Sequence, residues 1–127
     1  MRFLVVEDVA IMRKLLVNHL NSFGYNEAMM AGNGLEAIEK LKTYDLDFVI
    51  TDCLMPEMDG WQLTKYIRAN QNFKELPILM VTSCNEVDDV RKAIKLGADD
   101  YVVKPFTQAI LEEKIKSILK KRGMPAY

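Results

Sequence analysis

Short apolar runs alternate with segments of helical periodicity along this chain. Arg2 to Val6 is apolar and β-branched and stops at Glu7-Asp8, and Ile11, Leu15, Leu16, Leu20 and Phe23 then recur at helical spacing until Gly24 closes the helix. Glu27 to Ala31 predicts a weaker strand. The turn Gly32-Asn33-Gly34 follows, and then a helix with Leu35, Ile38 and Leu41 on one face. Phe48 to Thr51 predicts a strand buried on both faces that ends at Asp52. Cys53 to Gly60 carries a proline, two acids and a glycine, which is loop chemistry, and Leu63, Tyr66 and Ile67 mark the next helix. Pro77 introduces Ile78 to Val81, which ends in Thr82-Ser83. Val87, Val90, Ile94 and Leu96 fit a helix closed by Gly97. The last strand, Tyr101 to Val103, runs into Lys104-Pro105, and Ile110, Leu111, Ile115, Ile118 and Leu119 form the last helix.

Five strands alternating with five helices and no long linker predict an α/β fold, a doubly wound (βα)5 sandwich around a parallel sheet. Right-handed crossovers put helices on both faces and bring every strand's carboxyl end to one edge, where ligands bind in such sheets. Glu7, Asp8, Asp52, Thr82 and Lys104 then become neighbours. The second strand ends in Ala31-Gly32 and brings nothing reactive, which suits a strand at the sheet's edge.

Composition narrows the classes. The chain has 127 residues, 50% hydrophobic and 28% charged, which describes one domain with a substantial core. A net charge of -1 provides no global field for nucleic acid or an anionic membrane. The two cysteines, Cys53 and Cys84, are too few for a disulfide framework and have no nearby histidines to complete a zinc site. No apolar run approaches the ~20 residues that span a bilayer, and no signal peptide is visible, so a cytoplasmic location is expected.

Crowded carboxylates repel unless one is protonated or a cation sits among them. All-oxygen ligation left partly open to water favours Mg²⁺ over zinc, and a carboxylate can itself attack phosphorus to give an aspartyl phosphate. In that chemistry Asp52 would attack, Lys104 and Mg²⁺ would neutralise developing charge, and Thr82 would hydrogen-bond a phosphoryl oxygen. Each element also has a plainer reading. Glu7-Asp8 can be a helix N-terminal charge pair, Asp52 or Thr82 a cap, Lys104 a salt-bridge partner, and Lys104-Pro105 only a turn, although a cis bond there would place the lysine. Their joint occurrence at the ends of successive inner strands is what favours chemistry.

The residues Val5-Val6-Glu7-Asp8, Met12-Arg13-Lys14, Asp52 with Met55-Pro56 and Asp59-Gly60, Pro77 to Thr82, and Gly97-Ala98 leading to Tyr101-Val102-Val103-Lys104-Pro105-Phe106 resemble the receiver domains of two-component response regulators, in particular CheY-like single-domain chemotaxis regulators. The resemblance covers Phe3 to Met124. It implies a flavodoxin-like sheet in the order 2-1-3-4-5, which is the family's known order, with a receiver over residues 1–123 and a short tail over 124–127. It further implies that Asp52 is phosphorylated by a CheA-like histidine kinase or slowly by small acyl phosphates. Asp8, Asp52 and the Leu54 backbone carbonyl would bind Mg²⁺, with Glu7 acting through water. Thr82 and Tyr101 would be the switch pair, and the fourth helix, fifth strand and fifth helix, with Lys92, Lys95 and Lys114, the readout face. Implied partners are the kinase, a downstream target such as a flagellar motor switch protein and a possible phosphatase, with no nucleic acid, no membrane insertion and a monomeric state. The protein would catalyse its own phosphorylation and dephosphorylation rather than act as an enzyme on other substrates.

Departures from the family pattern are informative. Cys53, Leu54 and Cys84 stand where the chemotaxis members carry Trp, Asn and Glu, so attacking water should be poorly held and self-dephosphorylation slow. A regulatory disulfide between Cys53 and Cys84 is a second expectation, against the commoner role of thiols in packing. His19 reads as surface or boundary, and Lys120-Lys121-Arg122 as a helix C-terminus answering its dipole. Two other classes remain open at this level: a receiver excised from a longer regulator, and a Mg²⁺-dependent phosphatase. The latter lacks a second acid two residues after Asp52, where Leu54 stands.

Overall fold

Alternation within each strand divides the core into two layers. Leu4 and Val6 point to one face of the sheet and Phe3 and Val5 to the other, because successive side chains of a strand project oppositely. The computed structural model describes residues 1–125; residues 126 and 127 of the expected tail lie outside the described residues. The elements are β1 Phe3–Val6, α1 Ala10–Ser22, β2 Met29–Ala31, α2 Gly34–Thr43, β3 Phe48–Thr51, α3 Gly60–Ala69, β4 Ile78–Thr82, α4 Val87–Leu96, β5 Asp100–Val103 and α5 Gln108–Lys121. The five strands are all parallel, in the order β2-β1-β3-β4-β5. This is the doubly wound flavodoxin-like fold expected from the sequence, with β2 at an edge.

One layer packs α2, α3 and α4 on the sheet through Ile38, Leu41, Leu63, Ile67 and Ala93. The other packs α1 and α5 through Leu16, Leu20, Phe23, Leu111, Ile115 and Leu119. Every residue of β1, β3 and β4 is buried, as continuous apolar strands covered on both faces must be. The helical faces differ from the sequence reading in one respect. Ile11 is 82% exposed, and Leu15, Leu35, Val87, Ile94 and Ile110 are exposed too. Spacing alone accepts either edge of an apolar stripe; in α1 the inward line runs through Met12, Leu16 and Leu20, which leaves Ile11 and Leu15 at the solvent edge.

Two local devices fix the ends of the elements. Asp59 accepts from the Gln62 N–H at 2.8 Å while Gln62 accepts from the Asp59 N–H at 3.0 Å, a capping box worth about 1 kcal/mol that starts α3. At the sheet's amino edge, Asp99 accepts from Arg68 at 3.1 Å, Arg122 at 2.8 Å and the Ile78 N–H at 2.7 Å. Arg122 also donates to the Glu75 carbonyl. It is therefore a tertiary tie rather than the dipole-answering charge expected of Lys120-Lys121-Arg122. Met124, expected in the tail, packs on the α1/α5 layer and donates its N–H to Leu119 O at 2.8 Å. His19 is half-buried between Phe23 and Phe106, at the boundary as expected. Among the described residues no helix is long and apolar enough to cross a membrane.

Candidate functional site

Glu7 follows the last residue of β1 and continues its ladder, with its N–H donating to Ala31 O at 3.0 Å. Its carboxyl is buried, accepting from the Val9 N–H at 3.1 Å. Asp8 turns outward and is exposed. Asp52 extends β3 in the same way, its N–H donating to Val6 O at 3.1 Å, so the two acids finish adjacent strands. The Asp52 carboxylate is divided in its contacts. Oδ1 accepts from the Cys53 N–H at 2.6 Å and the Leu54 N–H at 3.4 Å, and Oδ2 accepts from Lys104 Nζ at 3.0 Å.

Lys104 arrives from β5, whose ladder to β4 continues through Lys104 N–H to Thr82 O at 2.8 Å, and the Lys104-Pro105 bond is cis. Its ammonium bridges two acids, lying 2.5 Å from Glu7 Oε1 as well as against Asp52. One carboxylate oxygen each from Glu7, Asp8 and Asp52 lies within 4.8 Å of the others. Thr82 is buried at the end of β4, and its Oγ1 accepts from the Cys84 N–H at 3.3 Å. The Tyr101 ring is buried, and its hydroxyl donates to Cys84 O at 2.5 Å and lies 3.7 Å from Cys53 Sγ.

A sequence profile of the response regulator receiver domain matches residues 3–116. The chain belongs to the response regulator receiver family. It is 43% identical over 120 residues to chemotaxis protein CheY1 of Helicobacter pylori, covering 94% of this chain and 97% of that protein. Against CheY-3 of Vibrio cholerae serotype O1 it is 41% identical over 121 residues, covering 95% and 93%. A solved CheX–CheY–BeF3–Mg²⁺ complex from Borrelia burgdorferi superposes with a TM-score of 0.88 at 27% identity, covering 94% of this chain and 89% of that one. The protein is thus a CheY-like receiver domain with chemotaxis homologues.

The receiver's electrostatics follow from burial and surplus charge. Burial raises the Glu7 carboxyl above its ordinary value, and the hydrogen bond from Lys104 offsets only part of that rise. Burial lowers Lys104, but its hydrogen bonds to Glu7 and Asp52 outweigh that and hold the ammonium above its ordinary value. Three carboxylates gathered around one ammonium, which contacts two of them, leave net negative charge in a pocket that is open to solvent at Asp8. That donor set is all oxygen and suits a hard divalent cation such as Mg²⁺.

The structure brings Glu7, Asp8, Asp52 and Lys104 together, pairs Thr82 with Lys104 through the backbone, and joins both Thr82 and Tyr101 to Cys84. The Leu54 side chain points to solvent, 59% exposed. Both cysteines are free: Cys53 is fully buried with Sγ 3.5 Å from Met80 Sδ, and burial pushes its thiol up to about 12. Of the expected readout lysines, Lys92 and Lys95 are exposed, with Lys92 Nζ 4.6 Å from the Trp61 ring. Lys114 is half-buried and paired with Asp100 at 3.2 Å. Sequence reasoning missed Arg13, whose Nη1 donates to Glu7 O at 2.6 Å and steadies the strand end. Its position in Met12-Arg13-Lys14 was visible; its partner, a backbone atom, was not.

Proposed function

We propose that this receiver domain accepts a phosphoryl group on Asp52 from the phosphohistidine of a CheA-like histidine kinase and, so modified, controls a chemotaxis partner such as a flagellar motor switch protein. The observation that carries the reading is the buried Asp52 carboxylate at a strand end, contacted by Lys104 and crowded by Glu7 and Asp8. Asp8, Asp52 and the Leu54 carbonyl are the groups that would hold Mg²⁺, with Glu7 acting through water. When bound, Mg²⁺ supplies positive charge for the phosphoryl oxygens and lets the acids stay ionised.

The chain's own residues do the positioning. Backbone N–H groups of Cys53 and Leu54 fix Oδ1, so the carboxylate has a defined orientation before a donor arrives. An Asp52 oxygen forms the new bond to phosphorus, the P–N bond of the donor breaks, and its electron pair leaves on the imidazole nitrogen. Lys104 is already within reach of Oδ2 and neutralises charge there. Thr82 is the hydroxyl donor for a phosphoryl oxygen. Its movement would couple to the loop at Cys84, which accepts the Tyr101 hydroxyl, and so to the α4/β5/α5 face.

An apolar Leu54 and an only weakly polar Cys84 thiol would leave attacking water poorly oriented, which supports a slow loss of the phosphoryl group. We further assign residues 1–123 to the receiver, with Met124 packed against it, and expect a cytoplasmic monomer that meets kinase, target and any phosphatase in turn. Phosphotransfer from a labelled CheA-like kinase tests the reading: label should pass to the wild type and not to Asp52→Asn. Equal transfer to both would refute it.

A further inference from the structure

Two helices of this domain begin with glycines that backbone conformation does not require. Gly34 and Gly60 are the first residues of α2 and α3, and neither has a positive φ, unlike Gly24, Gly97 and Gly123. Space explains both. A Cβ on Gly60 would run into the Asp52 carbonyl, and one on Gly34 would sit 2.5 Å from Met58 Cγ and 2.9 Å from both Met58 Cβ and Met58 O. Each glycine also donates its N–H to a carbonyl of the loop between β3 and α3: Gly60 to Cys53 O at 2.8 Å, and Gly34 to Met58 O at 2.9 Å. The loop is thus clamped near both ends. Between the clamps lie Leu54, Pro56 and Glu57, whose φ of 67° is left-handed without being glycine, so the loop holds a conformation it would not choose unaided.

We propose that Gly34 is a positioning residue for the metal site: by letting α2 close onto Met58, it fixes the loop that presents the Leu54 carbonyl. This rests on the reading of Asp8, Asp52 and the Leu54 carbonyl as Mg²⁺ ligands. The effect crosses the molecule from α2, an element that contributes no ligand. Met58 is the contact point. Helix propensity would favour alanine at the first turn of α2, so the glycine is retained against the local preference.

The test is isothermal titration of Mg²⁺ into wild type, Gly34→Ala and Gly32→Ala, with thermal melts in EDTA. A Cβ on Gly32 meets only the flexible ends of two side chains, Glu36 at 3.3 Å and Arg13 at 3.8 Å, so Gly32→Ala controls for change in the same turn. Gly34→Ala should bind Mg²⁺ roughly 10-fold or more weakly, as outer-shell changes do, with a metal-free melting temperature lowered by the contact with Met58 but the fold retained. Its phosphorylation rate with acetyl phosphate should return to the wild-type rate when Mg²⁺ is raised to saturation, an affinity effect without a rate effect. Gly32→Ala should match the wild type. Equal Mg²⁺ affinity in Gly34→Ala and wild type overturns the proposal and leaves the metal site standing, as does a loss in Gly34→Ala matched by Gly32→Ala. A wild type that does not bind Mg²⁺ overturns both. If Gly34→Ala does not fold, Met58→Gly decides: loosening the loop from the other side must also weaken Mg²⁺ binding, and unchanged affinity there ends the proposal.

Discussion

Removing the ammonium of Lys104 is the perturbation whose size the structure sets most directly. Its Nζ lies 2.5 Å from Glu7 Oε1 and 3.0 Å from Asp52 Oδ2, with the side chains of all three residues largely buried. At an effective dielectric constant of about 20, each such pair attracts by roughly 6 kcal/mol, against desolvation of several kcal/mol per ion. Breaking a buried pair from one side costs about 3–5 kcal/mol. Lys104→Met should fall near the lower figure, because Glu7 is already raised by burial and can take up a proton when its partner is lost. The expected loss is about 3 kcal/mol in metal-free protein at neutral pH, or roughly 12 °C in melting temperature. Urea titration in EDTA measures it. Adding Glu7→Gln to the variant should restore more than half, since the stranded charge is then gone. Saturating Mg²⁺ should stabilise Lys104→Met more than it stabilises the wild type, because the ion then supplies the charge that the lysine supplied. A metal-free loss below about 1 kcal/mol would show that the acids are not relying on Lys104 and would refute the electrostatic reasoning.

Four further outcomes are expected. Glu7 binds its proton more tightly folded than unfolded, so metal-free stability should fall as pH rises from the ordinary carboxyl value of 4.5 toward the raised folded one; Glu7→Gln should flatten that limb in urea titrations. Lys104 follows the same sign in a higher window: its contribution is intact below 10.5 and is lost as pH rises through its higher folded value, so Lys104→Met should remove the alkaline decline. Asp99→Ala strands Arg68 and Arg122 and frees the Ile78 N–H, and should cost about 3 kcal/mol while leaving phosphorylation rates unchanged in mass-spectrometric time courses. Leu54→Asn should shorten the lifetime of phosphorylated protein in a dephosphorylation time course; an unchanged lifetime would remove the role given to the apolar side chain.

The sheet was legible because strands buried on both faces have to be apolar throughout and have to end abruptly. Phe48 to Thr51 followed by Asp52 shows both properties, and Ile78 to Thr82 repeats them. The convergence of Glu7, Asp8, Asp52 and Lys104 followed from topology alone, since parallel strands share one carboxyl edge. The strand order came only with the family resemblance. Helix faces were read less well: Ile11 and Leu15 fit the period of α1 yet lie on its solvent side, and only the angle at which the helix meets the sheet decides between neighbouring stripes. Contacts made through the backbone were invisible. Arg13 on Glu7 O, Gly34 on Met58 O and Arg122 on Glu75 O each depend on where a distant carbonyl points, which no pattern of side chains encodes.

The central claim is that Asp52 takes up one phosphoryl group with the help of a cation held by its acidic neighbours. Intact-mass measurement after incubation with acetyl phosphate tests it most directly, with wild type and Asp52→Asn each run in Mg²⁺ and in EDTA. The wild type should gain the mass of a single phosphoryl group in Mg²⁺ and stay unmodified in EDTA, while Asp52→Asn stays unmodified in both. Labelling of Asp52→Asn to the wild-type extent, or equal labelling of the wild type with and without Mg²⁺, would contradict the account.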